Sequence, residues 1–124
     1  MKKPVRILIA DDHVSIRTAL RELLDLVTGI EVVGEATTGT EAVDMAEKLN
    51  PDIIIMDVRM PSLDGIEATR QIKQRQPQVR VVAHSAYVNP DLSRAMAEAG
   101  AEDFIIKGTL DLDQVRAFAG GATR

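Results

Sequence analysis

Five side chains of this sequence could do chemistry together: Asp11, Asp12, Asp57, Ser85 and Lys107. Each follows a short apolar run. ILIA leads into Asp11-Asp12, IIIM into Asp57, VVAH into Ser85 and FII into Lys107. If those runs are parallel strands of one sheet, their carboxyl ends share an edge, where open α/β sheets bind ligands. Three carboxylates, a hydroxyl and an ammonium would then converge. Carboxylates crowded in this way repel, and a bound cation relieves them. An oxygen ligand set without His or Cys suits Mg²⁺, which takes one or two carboxylates and keeps waters or a phosphate oxygen. A carboxylate beside Mg²⁺ is a competent nucleophile toward a phosphoryl group. Lys107 would offset charge on that group, and Ser85 could donate a hydrogen bond to it.

Alone, each residue has a plainer explanation. Asp11 and Asp12 could cap the following helix. Asp57 could be a loop aspartate and Ser85 a turn residue. Lys107 could be a solvated surface charge. Their shared position after successive strands is what argues for a site.

The elements that must position them follow from periodicity. Strands are expected at Val5–Ala10, Ile30–Ala36, Ile53–Met56, Val79–His84 and Phe104–Ile106. Helices are expected at Val14–Val27, with Ile16, Ala19, Leu20, Leu23, Leu24 and Val27 inward, and at Thr40–Leu49, with Val43, Ala46 and Leu49 inward. A third runs from an Asp64 N-cap to about Arg75. The fourth spans Pro90–Ala99, with Leu92, Ala95, Met96 and Ala99 inward, and the last Asp111–Phe118, stopped by Gly120-Gly121. Apolar strands alternating with helices predict a doubly wound parallel sheet covered on both faces.

Composition narrows the function. A chain of 124 residues, 45% hydrophobic and 27% charged, suits one domain. A net charge of −4 argues against a direct grip on DNA phosphates. There is no cysteine, and the only histidines are His13 and His84, so disulfides, thiolate metal sites and a His-rich zinc site are excluded. The start MKKPVRILIADD is too short an apolar run for a signal peptide or a membrane span, so a cytoplasmic location is expected.

Four motifs carry a family resemblance: ILIADDH (Ile7–His13), IIIMDVRMPSLDGIEATRQI (Ile53–Ile72), VVAHSAY (Val81–Tyr87) and GAEDFIIKG (Gly100–Gly108). Over almost its full length the sequence resembles the CheY-like receiver domains of two-component response regulators. DDH, VVGEATTGTEAV and the glycine after Lys107 look like the NarL/FixJ (LuxR-type) subgroup. The resemblance implies a flavodoxin-like five-stranded sheet of order 2-1-3-4-5 with five helices. It implies a receiver domain over 1–119, with 120–124 as tail or the start of a linker. It makes Asp57 the phosphoacceptor for a sensor histidine kinase. Asp12 and Asp57 would bind Mg²⁺ directly and Asp11 through water, with the backbone carbonyl of Arg59 as a further ligand. Lys107 would pair with the phosphoryl group, Ser85 would be the switch hydroxyl and Phe104 the switch aromatic. The face of the fourth and fifth helices would be the readout, with homodimerisation on phosphorylation and transcriptional output through a C-terminal DNA-binding domain absent from these residues. Such a chain is a signalling phosphoacceptor, which assists its own phosphorylation and dephosphorylation, rather than an enzyme with a separate substrate.

Some positions depart from the commonest pattern. Gly108 stands where many receivers have proline, which removes an expected cis peptide. His84 replaces an apolar strand residue. It either hydrogen-bonds at the strand end or makes the switch pH-sensitive. Tyr87 either governs access to the phosphate or covers the fourth helix. Three rivals stay open. A phosphohydrolase with an Asp nucleophile and Mg²⁺ would place its nucleophile after the first strand. A flavin or nucleotide binder would need an anion nest where Asp11-Asp12 stands. A stand-alone or pseudo-receiver interaction module would keep the fold and drop the chemistry.

Overall fold

The computed structural model describes residues 3–87 and 89–120. Strands and helices alternate strictly: β1 (Val5–Ala10), α1 (Val14–Asp25), β2 (Ile30–Ala36), α2 (Gly39–Leu49), β3 (Ile53–Asp57), α3 (Gly65–Arg75), β4 (Arg80–Ser85), α4 (Pro90–Ala99), β5 (Asp103–Ile106) and α5 (Leu112–Gly120). The strands form one five-stranded sheet of order β2-β1-β3-β4-β5. All four pairings are parallel. β1 shifts register against β2 between Ile7 and Leu8, a local irregularity on an edge pairing.

Alternation along each strand sends side chains to two separate cores. Leu8, Ile54, Met56, Val81 and Ala83 pack with residues of α2, α3 and α4, among them Ala42, Val43, Ala68, Ile72 and Met96. Ile7, Ile9, Ile53, Ile55, Val82 and Ile105 pack on the other face with Leu20 and Leu24 of α1 and Val115 and Phe118 of α5. Burial on both faces explains why β1 and β3 read as continuous apolar runs.

The helix ends are made locally. Thr38 caps α2 by accepting from the Glu41 amide, and Asp64 caps α3 by accepting from the Glu67 amide. Asn89 does the same for α4, with Pro90 in its first turn. Asp111 and Gln114 exchange reciprocal bonds at the start of α5, each side chain accepting from the other's amide.

Several expected boundaries shift. β3 runs one residue further, so Asp57 is part of the strand. β4 spans Arg80–Ser85, which also brings Ser85 into the sheet. α1 ends at Asp25 because Leu26 forms its C-cap, and α2 begins one residue earlier at Gly39. Ala19, expected inward, is exposed. It lies at the margin of the α1 stripe, whose buried residues are Leu20 and Leu24. Asp11 and Asp12 do not cap α1: the N-cap is His13, which makes no side-chain capping bond. The proposed tail beyond Gly120 lies outside the described residues.

One glycine is demanded by packing at the end of β3. A Cβ on Gly65 would fall 1.9 Å from the Asp57 carbonyl oxygen, and the Gly65 amide donates to the Val58 carbonyl at 2.8 Å. The start of α3 thus lies flush against the backbone that carries Asp57, and neither side is a flexible side chain that could give way. Gly65→Ala is expected to lower unfolding stability by about 3 kcal/mol. Gly108 has φ +88 and open space around its Cβ position, so a side chain there would be strained only through the backbone. Gly108→Ala should cost about 1–2 kcal/mol. Urea denaturation of both variants measures the difference.

Candidate functional site

The site grows from strand register. Asp57 at the end of β3 pairs with His84, and His84 pairs with Ile105 two residues before Lys107. Asp11 follows directly on β1, and its amide donates to the Ala36 carbonyl at 3.0 Å, extending the pairing by one residue. Asp11, Asp57, His84 and Lys107 share the strand parity of Ile9, Ile55, Val82 and Ile105, the face covered by α1 and α5.

Lys107 joins the carboxylates. Its Nζ lies 2.8 Å from Asp11 Oδ2 and 3.4 Å from Asp57 Oδ2. Asp11 and Asp57 are buried, at 1% and 5% exposure, whereas Asp12 is exposed. Asp57 is poorly satisfied: among the described residues, Oδ2 has Lys107 and Oδ1 accepts only a long bond of 3.4 Å from the Arg59 amide. Burial pushes the Asp57 carboxyl up to about 6, and the negative charge of Asp11 adds to the shift against the opposing pull of Lys107 and the Arg59 amide. Burial also pulls on Lys107, but hydrogen bonding to Asp11 and the charge of Asp57 outweigh it and leave its pKa raised.

Asp11 is held from behind. Arg17 on α1 donates to the Asp11 carbonyl at 2.9 Å and, through Nε, to Glu35 Oε1 at 2.9 Å. Glu35 also accepts from Arg21 at 2.7 Å, and that bond is the main reason its pKa is lowered, against the opposing effect of burial. Nothing in the sequence singled out Arg17. Its partner on β2 becomes visible only once β1 and β2 pair.

His13 is the second residue that sequence reasoning missed. Its amide donates to Asp11 Oδ1 at 2.9 Å, folding the chain back over the carboxylate. Its Nδ1 lies 3.1 Å from Asp11 Oδ1 and 3.2 Å from Asp12 Oδ1. Asp11, Asp12, His13 and Asp57 each place a ligand atom within 4.8 Å of the others, an arrangement that could hold a metal ion. The only signal was the DDH tripeptide, and the ligand set had been expected to be oxygen alone.

Ser85 and Phe104 do not join this cluster. Ser85 is buried at the same edge, but its Oγ accepts from the Tyr87 amide at 3.4 Å, and its parity is that of Ala83, toward α4. Phe104 pairs with Ala83 and packs against the same core. It lines a surface cavity of about 250 Å³ with Ser93, Met96 and Ala97. Tyr87 is exposed, at 70%. The Arg59 amide contacts Asp57 Oδ1 at 3.4 Å.

His84 overturns one expectation. It is 3% exposed, and neither ring nitrogen has a hydrogen-bond partner among the described residues, so it does not hydrogen-bond at the strand end. Burial pulls its pKa down to about 4, and the charge of Lys107 adds to that. The ring is therefore neutral at physiological pH and borders an apolar recess with Ile16, Leu20 and Leu110. After Lys107 the chain turns through Gly108 at φ +88, and no cis peptide occurs among the described residues.

The comparisons with known proteins agree with this geometry. The family model of the response regulator receiver domain matches residues 7–118. The chain is 36% identical over 113 residues to the response regulator GacA of Pseudomonas viridiflava, covering 91% of this chain and 53% of that protein. It is 39% identical over 106 residues to the response regulator protein VraR of Staphylococcus aureus, covering 85% of this chain and 50% of that one. The chain thus spans about half the length of the curated relatives it matches. The signal receiver domain of NarL from Mycobacterium tuberculosis superposes with a TM-score of 0.91 at 29% identity, covering 99% of this chain and 100% of that chain. A chain of the CheX–CheY–BeF₃–Mg²⁺ complex from Borrelia burgdorferi matches with a TM-score of 0.85 at 29% identity, covering 98% of this chain and 91% of that one. No described helix is long and apolar enough to cross a membrane. The chain belongs to the receiver domains of two-component response regulators, with the CheY-like fold and of the NarL/LuxR type.

Proposed function

We propose that Asp57 is the phosphoacceptor of this receiver domain. The observation that carries the reading is a buried, weakly partnered carboxylate at the sheet edge, 3.4 Å from the Lys107 ammonium. An Asp57 carboxylate oxygen attacks phosphorus as the bond to the donor breaks, a kinase histidine nitrogen or the acyl oxygen of a small phosphodonor, leaving an acyl phosphate. Lys107 sits where it can meet the charge of the transferring group. Asp11 holds Lys107 in that position.

The residues present fit Mg²⁺. Three carboxylates face one ammonium, and among the described residues Asp57 has no partner closer than 3.4 Å. Asp12 and Asp57, Asp11 through water, and the Arg59 carbonyl would hold the ion. When bound it supplies positive charge to the carboxylates and to the phosphoryl oxygens. The Borrelia burgdorferi complex contains BeF₃ and Mg²⁺ on the same fold, which supports the reading.

Phosphorylation adds charge and oxygen acceptors at this edge. Ser85 then exchanges the Tyr87 amide for a phosphoryl oxygen, and Phe104 turns inward from the cavity beneath α4. The population shifts toward a state in which the face of α4 and α5 differs. That face is the readout, by homodimerisation or effector contact. The kinase partner, a cytoplasmic setting, a receiver boundary near residue 119 and transcriptional output through a further DNA-binding domain belong to the same reading. A pseudo-receiver is the alternative, and one experiment separates the two.

Incubation with acetyl phosphate and Mg²⁺ is expected to add one phosphoryl group to the intact mass. The gain should vanish in Asp57→Asn and without Mg²⁺, and Lys107→Ala should slow it by roughly 100-fold or more. An unchanged wild-type mass, repeated with a second phosphodonor, would identify a pseudo-receiver. The burial of Asp57 also predicts a pH dependence in metal-free protein. Its folded-state pKa of about 6 lies above the ordinary 3.8, so the protonated form favours the fold. The stability it contributes is complete below about pH 4 and is lost as pH rises through about 6. With chelator present, Asp57→Asn should be more stable than wild type at pH 8 by on the order of 3 kcal/mol. That advantage should fade near pH 4, as urea unfolding across the range would reveal.

A further inference from the structure

We propose that His13 adds a nitrogen ligand to the Asp11–Asp12–Asp57 cluster, so that the site takes a borderline divalent ion such as Zn²⁺ in competition with Mg²⁺. The inference rests on geometry at a position the oxygen-only ligand set leaves unused. Ligand atoms about 2.0–2.1 Å from a tetrahedral ion lie roughly 3.3 Å apart. His13 Nδ1 stands 3.1 Å from Asp11 Oδ1, in a hydrogen bond that a bound ion would replace, and 3.2 Å from Asp12 Oδ1. The imidazole is 61% exposed, so an incoming ion reaches it, while the backbone bond from His13 to Asp11 Oδ1 keeps it beside the carboxylates.

A separate observation points to a cation here. Asp57 is buried, and among the described residues its partners are the Lys107 ammonium and the Arg59 amide, both at 3.4 Å. A buried carboxylate so loosely held has unused capacity to bind an ion. Oxygen ligands alone suit Mg²⁺, which binds imidazole poorly, whereas imidazole raises affinity for Zn²⁺ and its neighbours. Ligation needs the Nδ1 lone pair, so the imidazole proton resides on Nε2 in the bound form. Zn²⁺ and Mg²⁺ then exclude one another, because they share the Asp12 and Asp57 carboxylates.

The same site serves phosphorylation only if the reading above holds, but the ligand assignment stands independently of it. The test uses chelator-treated chain, titrated calorimetrically with Zn²⁺ and with Mg²⁺, in wild type, His13→Ala and Asp12→Ala. The expected result is a fall in the Zn²⁺-to-Mg²⁺ affinity ratio of about tenfold or more in His13→Ala. Asp12→Ala should weaken both ions, which places Zn²⁺ at this cluster. Zn²⁺ should also shift the His13 ring nitrogen resonances in wild type. An unchanged ratio in His13→Ala, or Zn²⁺ binding indifferent to Asp12→Ala, would overturn the proposal. Failure of the wild type to take up a phosphoryl group with Mg²⁺ would instead sink the phosphoacceptor reading and leave the affinity ratio untouched.

Discussion

Two carboxylates buried against one ammonium set the terms for the rest of the molecule. Asp11 and Asp57 could not both stay charged in an apolar edge without Lys107 between them, at 2.8 and 3.4 Å. Those residues stand at the ends of three strands far apart in the chain. Their meeting requires the order β2-β1-β3-β4-β5, in which β1 and β3 are neighbours and β4 carries the pairing on to β5. A one-residue slip of any strand would send its site residue to the opposite face. The apolar runs before each charge lock the register, since a slip would exchange residues between two cores that are both closed.

Strand parity also divides labour. The ion-pairing residues lie toward α1 and α5, whereas Ser85 and Phe104 lie toward α4. Ser85 and His84 are adjacent, yet one faces each side. A single peptide step of β4 thus separates the face that holds Asp57 from the α4 face. His84 marks the cost of this arrangement: a neutral ring buried without a hydrogen-bond partner among the described residues, beside Lys107, where a protonated ring would be repelled.

The loops stiffen the edge. Gly65 lets α3 begin against the Asp57 carbonyl, and a Cβ on Gly39 would fall 1.7 Å from the Leu63 carbonyl oxygen. The start of α2 therefore braces the loop between β3 and α3. Thr40 and Ser62 exchange a hydroxyl bond of 3.0 Å across the same contact. Asp57 is thereby presented from a strand end with little freedom.

Much of this was legible in the sequence. Apolar runs of strand length, helical stripes and capping residues are local, so the alternating elements and the charged residues at the strand ends could be read in order. The acid cluster and Lys107 followed once the sheet was taken as parallel. What the sequence left open depended on distances between segments. His13 stands in the sequence only as part of DDH, and the fold brings its amide and ring back to Asp11. Arg17 carries no signal in the sequence, and only the fold brings Glu35 of β2 beside it. Ala19 read as inward because periodicity gives a stripe without its width, which the packing partner sets. His84 and Ser85 are adjacent in the chain, and the sheet gives each its own face. Sequence alone determined which elements form and which residues stand at their ends. Only tertiary structure decided which of those residues touch, because burial and ion pairing depend on segments that the chain brings together from a distance.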